Sequence, residues 1–173
     1  MKPLRGMRPQ DIAVLLKIVS LGGAPWRTTD LASQLHISQS EISQALFRNQ
    51  SAGLLDGSKR NVHRKSLVEF LIHGIKYVYP QKPGAIVRGM PTGHSAPPLS
   101  RLIESGGEVY VWPYEGGTSR GESIQPLYPN LPKAANTDPI FYELSALVDA
   151  IRVGKSRESK IATDQLHSRI LSQ

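Results

Sequence analysis

Four short polar side chains, spaced to share one face of a helix, are the first residues in this sequence whose chemistry suggests a function. They follow Ser38 and are Gln39, Ser40, Ser43 and Gln44. Amide and hydroxyl groups of this size enter the major groove of DNA without a steric clash and form hydrogen bonds with base edges. We therefore predict that this face contacts bases. The competing interpretation is a small helical core in which the second helix simply has a polar outer surface.

Positive charge is concentrated in the same half of the chain. The net charge is +7 and the isoelectric point is about 9.8, and the first 80 residues carry 11 of the 21 basic side chains but only 5 of the 14 acidic ones. Such an asymmetry favours binding to a phosphate backbone, although a run of charges can also be merely solvated. The residues predicted to face phosphates are Arg27, Ser38, Arg48, Lys59, Arg60, Arg64 and Lys65. Six neutralised phosphates would give a log–log salt dependence with a slope of about −5.

The sequence argues against an enzyme. His94 precedes Ser95, but no G-x-S-x-G motif surrounds the serine, and adjacent residues rarely act as nucleophile and base. The five histidines show no metal-binding spacing, no phosphate-binding loop motif occurs, and the absence of cysteine excludes thiolate metal sites and disulfides. We predict no catalytic residue, no metal and no cofactor, and we interpret His94 as a loop residue that is hydrogen-bonded to backbone.

Periodicity and capping signals place these residues on local elements. Apolar residues spaced from Ile12 to Val19 predict a first helix with Pro9 in its first turn, and Thr28 or Thr29 begins a second helix that ends near Leu35. Ser38 and Glu41 form a capping box that opens a third helix, from Gln39 to about Ser51. A basic hairpin follows, with a turn at Asp56-Gly57 and a return strand over 60–64. A second capping box, Ser66 with Glu69, opens a fourth helix.

This order of elements resembles the winged helix-turn-helix transcription regulators, including the MarR-like proteins. The resemblance covers roughly residues 9–79 and depends most on residues 31–46, LASQLHISQSEISQAL, in which Ala32 gives the small side chain needed where two helices cross. It implies that 39–48 is the recognition helix and that Lys59, Arg60, His63, Arg64 and Lys65 lie on a wing. One departure is His36, which occupies a position where many such proteins have glycine.

The remaining chain divides into two segments. Residues 80–137 hold most of the prolines and predict an extended arm, with one strand over 108–112 and a possible protein partner. Residues 138–173 predict two helices, the first capped by Asp138 and followed by Pro139. We expect its apolar stripe to form a dimer interface; the stripe comprises Ile140, Phe141, Leu144, Leu147, Val148 and Ile151. These two segments resemble regions that uncharacterised bacterial proteins append to a MarR-like domain.

Together these patterns predict a mainly α protein with a small β wing, in the α+β class. The domains are a winged helix-turn-helix at 1–79, a Pro/Gly-rich arm at 80–137 and a helical dimerisation region at 138–173. We expect a cytoplasmic, nucleoid-associated homodimer that binds double-stranded DNA and regulates transcription, most simply as a repressor. The alternative is an antitoxin or defence-system protein whose arm binds a partner. Because the sequence has neither a long apolar run nor an apolar segment behind its basic N-terminus, we expect no membrane span and no secretory signal.

Overall fold

A computed structural model describes residues 6–104 and 106–172, and it confirms the α+β class. The predicted domains also include residues 1–5, 105 and 173, which lie outside the described ranges. The helices of the described ranges are α1 (Pro9–Ser20), α2 (Thr28–Leu35), α3 (Gln39–Ser51), α4 (Arg64–His73), α5 (Ile75–Val78), α6 (Leu99–Leu102), α7 (Leu131–Ala135), α8 (Pro139–Val153) and α9 (Ser156–Leu171). The strands are β1 (Ile86–Pro91), β2 (Tyr110–Pro113) and β3 (Ser119–Ser123). Within the described ranges, no helix is both long and apolar enough to cross a bilayer.

The first three helices have the predicted bounds, and α3 packs against both α1 and α2. Their shared core is formed by apolar side chains that recur at helical spacing, such as Leu15, Leu31 and Ile42. Ser38 caps α3, because its hydroxyl accepts a hydrogen bond from the Glu41 N–H at 3.2 Å. The predicted capping box is only half formed, since the Glu41 carboxylate instead accepts a hydrogen bond from Gln10 Nε2 at 2.9 Å.

The hairpin after α3 is shorter than predicted, and α4 begins earlier. A single bridge pairs Leu55 with Val62, and no longer pairing continues the return strand. Because the chain turns so tightly, α4 starts directly after it at Arg64. Ser66 therefore lies inside the first turn of α4 rather than before the helix, and the second predicted capping box is wrong.

The prediction of an extended arm is wrong for residues 86–123, whose strands β1, β2 and β3 form a small closed sheet. Strand β1 pairs antiparallel with both β2 and β3, and β2 pairs parallel with β3. A sheet this small closes only if its backbones approach closely. A Cβ on Gly89 would lie 1.9 Å from the Trp112 carbonyl oxygen, and one on Gly121 would lie 2.4 Å from the Val109 carbonyl oxygen. Glycines that break regular structure in the sequence thus permit this sheet.

A buried carboxylate joins the sheet to α8. Asp149 accepts hydrogen bonds from Trp112 Nε1 at 2.5 Å and from Thr92 Oγ1 at 2.8 Å. Arg152, one turn later, pairs with the other oxygen at 2.8 Å and also donates to the Tyr79 carbonyl at 3.0 Å. Burial raises the pKa of the Asp149 carboxyl, whereas these donors lower it. These hydrogen bonds hold the sheet, helix α8 and the end of α5 together.

The apolar stripe of α8 is not a dimer interface, because its own chain covers it. Phe141, Leu144, Leu147, Val148 and Ile151 are all at most 2% exposed within a single copy. Of the six predicted residues only Ile140 reaches the surface, at 49% exposure. Helix α8 packs against α1 and α9, and Lys17 of α1 forms a 2.6 Å ion pair with Asp138 at its start. The buried side chains of this stripe are therefore part of the hydrophobic core of a single chain.

Replacing Gly89 with alanine tests the closed sheet. The added Cβ collides with the Trp112 carbonyl, so we expect Gly89→Ala to lower the free energy of unfolding by about 2 kcal/mol or more. Urea denaturation followed by tryptophan fluorescence measures this loss. Gly106→Ala is the matched control, since no atom lies within 4 Å of the Cβ it would add. Equal stability of the two variants would contradict the sheet closure.

Candidate nucleic-acid interface

Helix α3 has one apolar and one polar face, and the polar face is on the surface. Ile42, Ala45 and Leu46 are buried against α1 and α2. The four residues predicted to face bases are all exposed; they are Gln39, Ser40, Ser43 and Gln44. The predicted placement on an open helix face is therefore confirmed, and their contact with bases stays a prediction.

Arg48 is not available to a phosphate, which corrects one predicted contact. It is 5% exposed and forms a bidentate ion pair with Asp11 of α1, with Nε–Oδ2 and Nη2–Oδ1 distances of 2.7 and 2.8 Å. The hydrogen bonds that the Arg48 guanidinium donates to the Asp11 carboxylate raise the pKa of Arg48. Asn49 adds a hydrogen bond to the Asp11 carbonyl oxygen at 3.0 Å. Arg48 thus joins α3 to α1 and does not reach the exposed face of α3.

The turn between α2 and α3 is held by its own backbone and by a distant segment. His36 adopts the left-handed conformation, with φ 54° and ψ 44°, at the position where glycine is common. From the segment before α7, the buried Tyr128 hydroxyl donates to the Leu35 carbonyl at 2.9 Å, and Asn130 Nδ2 donates to the His36 carbonyl at 3.0 Å. These bonds satisfy free carbonyls at the end of α2 and brace the turn without covering the outer face of α3.

The hairpin 54–63, called the wing below, is organised by one carboxylate. Asp56 Oδ2 accepts a hydrogen bond from Asn61 Nδ2 at 2.7 Å, and Oδ1 accepts one from the Ser58 hydroxyl at 2.7 Å and others from the backbone N–H groups of Arg60 and Asn61. Bonds from the Asn61 and Ser58 side chains hold the pKa of Asp56 well below its usual range. A short loop with so many internal bonds presents its basic side chains from a defined position.

The tip of the wing lies along the C-terminal half of α3. Gln50 Nε2 of α3 donates to the Gly57 carbonyl at 3.2 Å. Lys59, which has a positive φ of 60°, places its ammonium 5.5 Å from the centre of the Phe47 ring, also on α3. Lys59 is therefore beside the exposed face of α3.

The other side of the wing reaches the start of α2. Arg60 stacks on the Trp26 ring, 4.5 Å from its centroid, and donates to the Trp26 carbonyl at 2.8 Å. The neighbouring Arg27 has an 82% exposed side chain that makes only 3.4 Å contacts with Asp30. The wing thus contacts α3 on one side and the start of α2 on the other, and its Lys59 lies beside the polar face of α3. We call the surface of this region the basic face; it comprises Arg27, Gln39, Ser40, Ser43, Gln44, Phe47, Lys59 and Arg60.

The other predicted phosphate contacts differ in availability. Lys65 is exposed at the start of α4. Arg64 is half-buried, and its guanidinium donates to the Ile170 carbonyl at 2.8 Å near the end of α9, so part of its donor capacity is already used. Ser38 is exposed, but its hydroxyl oxygen is engaged by the cap of α3. Four of the predicted phosphate contacts are thus cations with free surface: Arg27, Lys59, Arg60 and Lys65.

Sequence reasoning missed Phe47 and Trp26. Phe47 is 55% exposed and follows Gln44 by three residues and Ser43 by four, which places it on the same face one turn later. That spacing was readable in the sequence. The role of Trp26 was not, because its partner Arg60 is 34 residues away along the chain and meets it only in the folded protein.

The residues that suggested an enzyme have structural contacts. His94 is 5% exposed and hydrogen-bonded through Nε2 to the Glu108 carbonyl at 2.9 Å, as predicted, and the Ser95 hydroxyl accepts from the Tyr110 N–H at 2.9 Å. Among the described residues, no group of three or more His, Cys, Asp or Glu side chains is arranged to hold a metal ion.

No protein family, curated protein or solved structure matches the chain.

Replacing His36 tests the left-handed turn. Glycine adopts this conformation without strain, so His36→Gly is expected to raise the free energy of unfolding by about 0.5–1 kcal/mol, and His36→Val to lower it by about 1–2 kcal/mol. Thermal and urea denaturation measure both effects. Gln34→Gly is the control: it lies exposed inside α2, where glycine should cost about 1 kcal/mol. A destabilising His36→Gly would contradict the geometry of the turn.

Proposed function

We propose that the protein binds double-stranded DNA in a sequence-dependent way, with α3 in the major groove and the wing on the adjoining backbone. In this proposal it is a bacterial winged helix-turn-helix regulator of the MarR-like kind that represses transcription at the nucleoid. The observation that carries the proposal is the basic face, which combines the exposed short polar side chains of α3 with the cations of the neighbouring wing and of the start of α2. The family resemblance of residues 31–46 adds support.

The charges around α3 suit a polyanion. Glu41 is the acidic residue of α3, and it is half-buried and bound by Gln10 and, at 3.4 Å, by Arg8. Its charge is partly offset at the place where the helix would approach a phosphate. The serine and glutamine side chains beside it carry both donors and acceptors, so they can complement the edges of more than one base pair.

The number of predicted cations that keep free surface gives the proposal a quantitative consequence. Arg48 is buried, and Arg64 is half-buried and donates to the Ile170 carbonyl; Arg60 is counted because it stays exposed although it donates to the Trp26 carbonyl. Four of the predicted cations therefore remain per copy, namely Arg27, Lys59, Arg60 and Lys65. Each phosphate neutralised contributes about −0.9 to the log–log slope of affinity against salt concentration, so one bound copy should give about −3.6. This slope is shallower than the value expected from the sequence because two of the predicted cations make other contacts.

The oligomeric part of the proposal needs a different interface. A single helix with short side chains contacts few bases, and a two-fold pair would double those contacts and set half-sites about one helical turn apart. The stripe on α8 cannot supply the seam because it is buried within one copy. In the alternative, an antitoxin or defence-system protein, the partner would bind a folded surface and not an extended arm, since strands β1, β2 and β3 form a closed sheet.

Selection from a random duplex pool tests the proposal. We expect the full chain to enrich a common sequence, to bind that duplex at least tenfold more tightly than a scrambled one, and to show a salt slope of about −3.6 per bound copy. Fluorescence anisotropy at four salt concentrations measures both quantities, and sedimentation gives the number of copies bound. Failure to bind any duplex at 50 mM salt, or equal affinity for all duplexes, would overturn the proposal.

Two substitutions separate base contacts from phosphate contacts. Gln44→Ala is expected to change the preferred sequence while leaving the salt slope unchanged. Arg60→Ala is expected to weaken binding to all duplexes alike and to reduce the slope by about 0.9. Arg120→Ala, which removes an exposed charge from β3 instead of from the wing, is the control and should have a much smaller effect. Unchanged binding by both Gln44→Ala and Arg60→Ala would contradict the assignment of the basic face.

A further inference from the structure

Phe47 is an apolar ring on the basic face, which is otherwise polar and cationic. It is 55% exposed, whereas Phe70 is half-buried and Phe141 is fully buried. Exposed single apolar residues are common on proteins, so exposure alone says little. Its position is more informative, because the ring stands on the face that carries Ser40, Ser43 and Gln44, one turn beyond Gln44.

The surroundings of the ring suit a nucleic acid better than an apolar protein surface. The Lys59 ammonium lies 5.5 Å from the ring centre, and Arg60 follows it on the wing. The wing itself is fixed beside α3 by the bond from Gln50 to the Gly57 carbonyl and by the internal bonds of Asp56. An apolar partner seated on Phe47 would have to desolvate these cations and the serine and glutamine side chains. A duplex supplies phosphates for the cations and still offers apolar surface in its groove.

The C5-methyl group of thymine is the apolar group that a base edge presents in the major groove. Serine and glutamine side chains of α3 can complement donors and acceptors, but they offer no apolar contact of comparable size. We propose that Phe47 determines specificity by packing its ring against a thymine methyl, next to the bases contacted from Gln44. This inference rests on the proposed function, since it assumes that α3 enters the major groove.

Deoxyuridine gives a direct test, because it differs from thymidine only in lacking this methyl. The probe is the duplex enriched by the full-length protein from the random pool, resynthesised with deoxyuridine in place of one thymidine at a time on each strand. We expect about fourfold weaker binding at one or two positions and little change elsewhere, which is the loss that one buried methyl group predicts. Fluorescence anisotropy at constant salt measures each affinity.

The variant Phe47→Ala completes a double-mutant cycle with the modified duplexes. It should bind the thymidine duplex about fourfold more weakly than the unaltered protein and should lose its sensitivity to deoxyuridine at the same positions. Phe47→Leu retains an apolar side chain and is expected to keep part of that sensitivity. Tyr77→Ala is the control, since Tyr77 is 73% exposed on α5 and its removal should not change the response to deoxyuridine. Circular dichroism establishes that each variant is folded.

The outcomes of these experiments distinguish the role of Phe47 from the proposed function on which it rests. If the protein enriches a duplex but binds all deoxyuridine versions equally well, the role of Phe47 is overturned and the proposed function stands. The same holds if Phe47→Ala keeps the full deoxyuridine effect. If no duplex is enriched at all, the proposed function fails and the inference fails with it.

Discussion

The ion pair between Asp11 and Arg48 is the interaction on which the orientation of α3 depends. Both oxygens of Asp11 are occupied by the guanidinium, and the side chain of Asn49 holds the backbone of the same residue. Because both charges are buried, a rotation of α3 that separated them would leave buried charge uncompensated, at a cost of about 3–5 kcal/mol. The pair therefore reinforces the orientation that the buried apolar face of α3 already favours, with the polar side chains turned outward.

The rest of the chain serves to hold this N-terminal unit. Lys17 and Asp138 join α1 to the start of α8, while Asp149 and Arg152 join α8 to the sheet and to the end of α5. From the segment that leads into α7, Tyr128 and Asn130 reach the turn before α3. The C-terminal half is thus a scaffold that packs against the back of the candidate interface, and it leaves the front open.

Local patterns in the sequence correctly predicted what short-range forces decide. The bounds of α1, α2 and α3 follow from apolar spacing and from Ser38 as a cap, and the exposure of Gln39, Ser40, Ser43 and Gln44 follows from the same spacing. Three other interpretations were wrong because they depended on distant partners. The sequence predicted Arg48 as a surface cation, but folding pairs it with Asp11. It predicted the α8 stripe as a dimer interface, but α1 and α9 cover this stripe. It predicted an extended arm, but strands of residues 86–123 pair into a sheet.

By itself the sequence determined the α+β class, the three N-terminal helices, the polar face of α3 and the concentration of positive charge in the first half of the chain. These depend on contacts within a few residues, or on composition, and both are readable from the order of amino acids. Only the tertiary structure decided which cations are free, since that depends on whether a carboxylate or carbonyl from another element reaches them. It alone brought Lys59 to Phe47 and Arg60 to Trp26, because side chains so far apart in sequence meet only when the chain has folded around a common core.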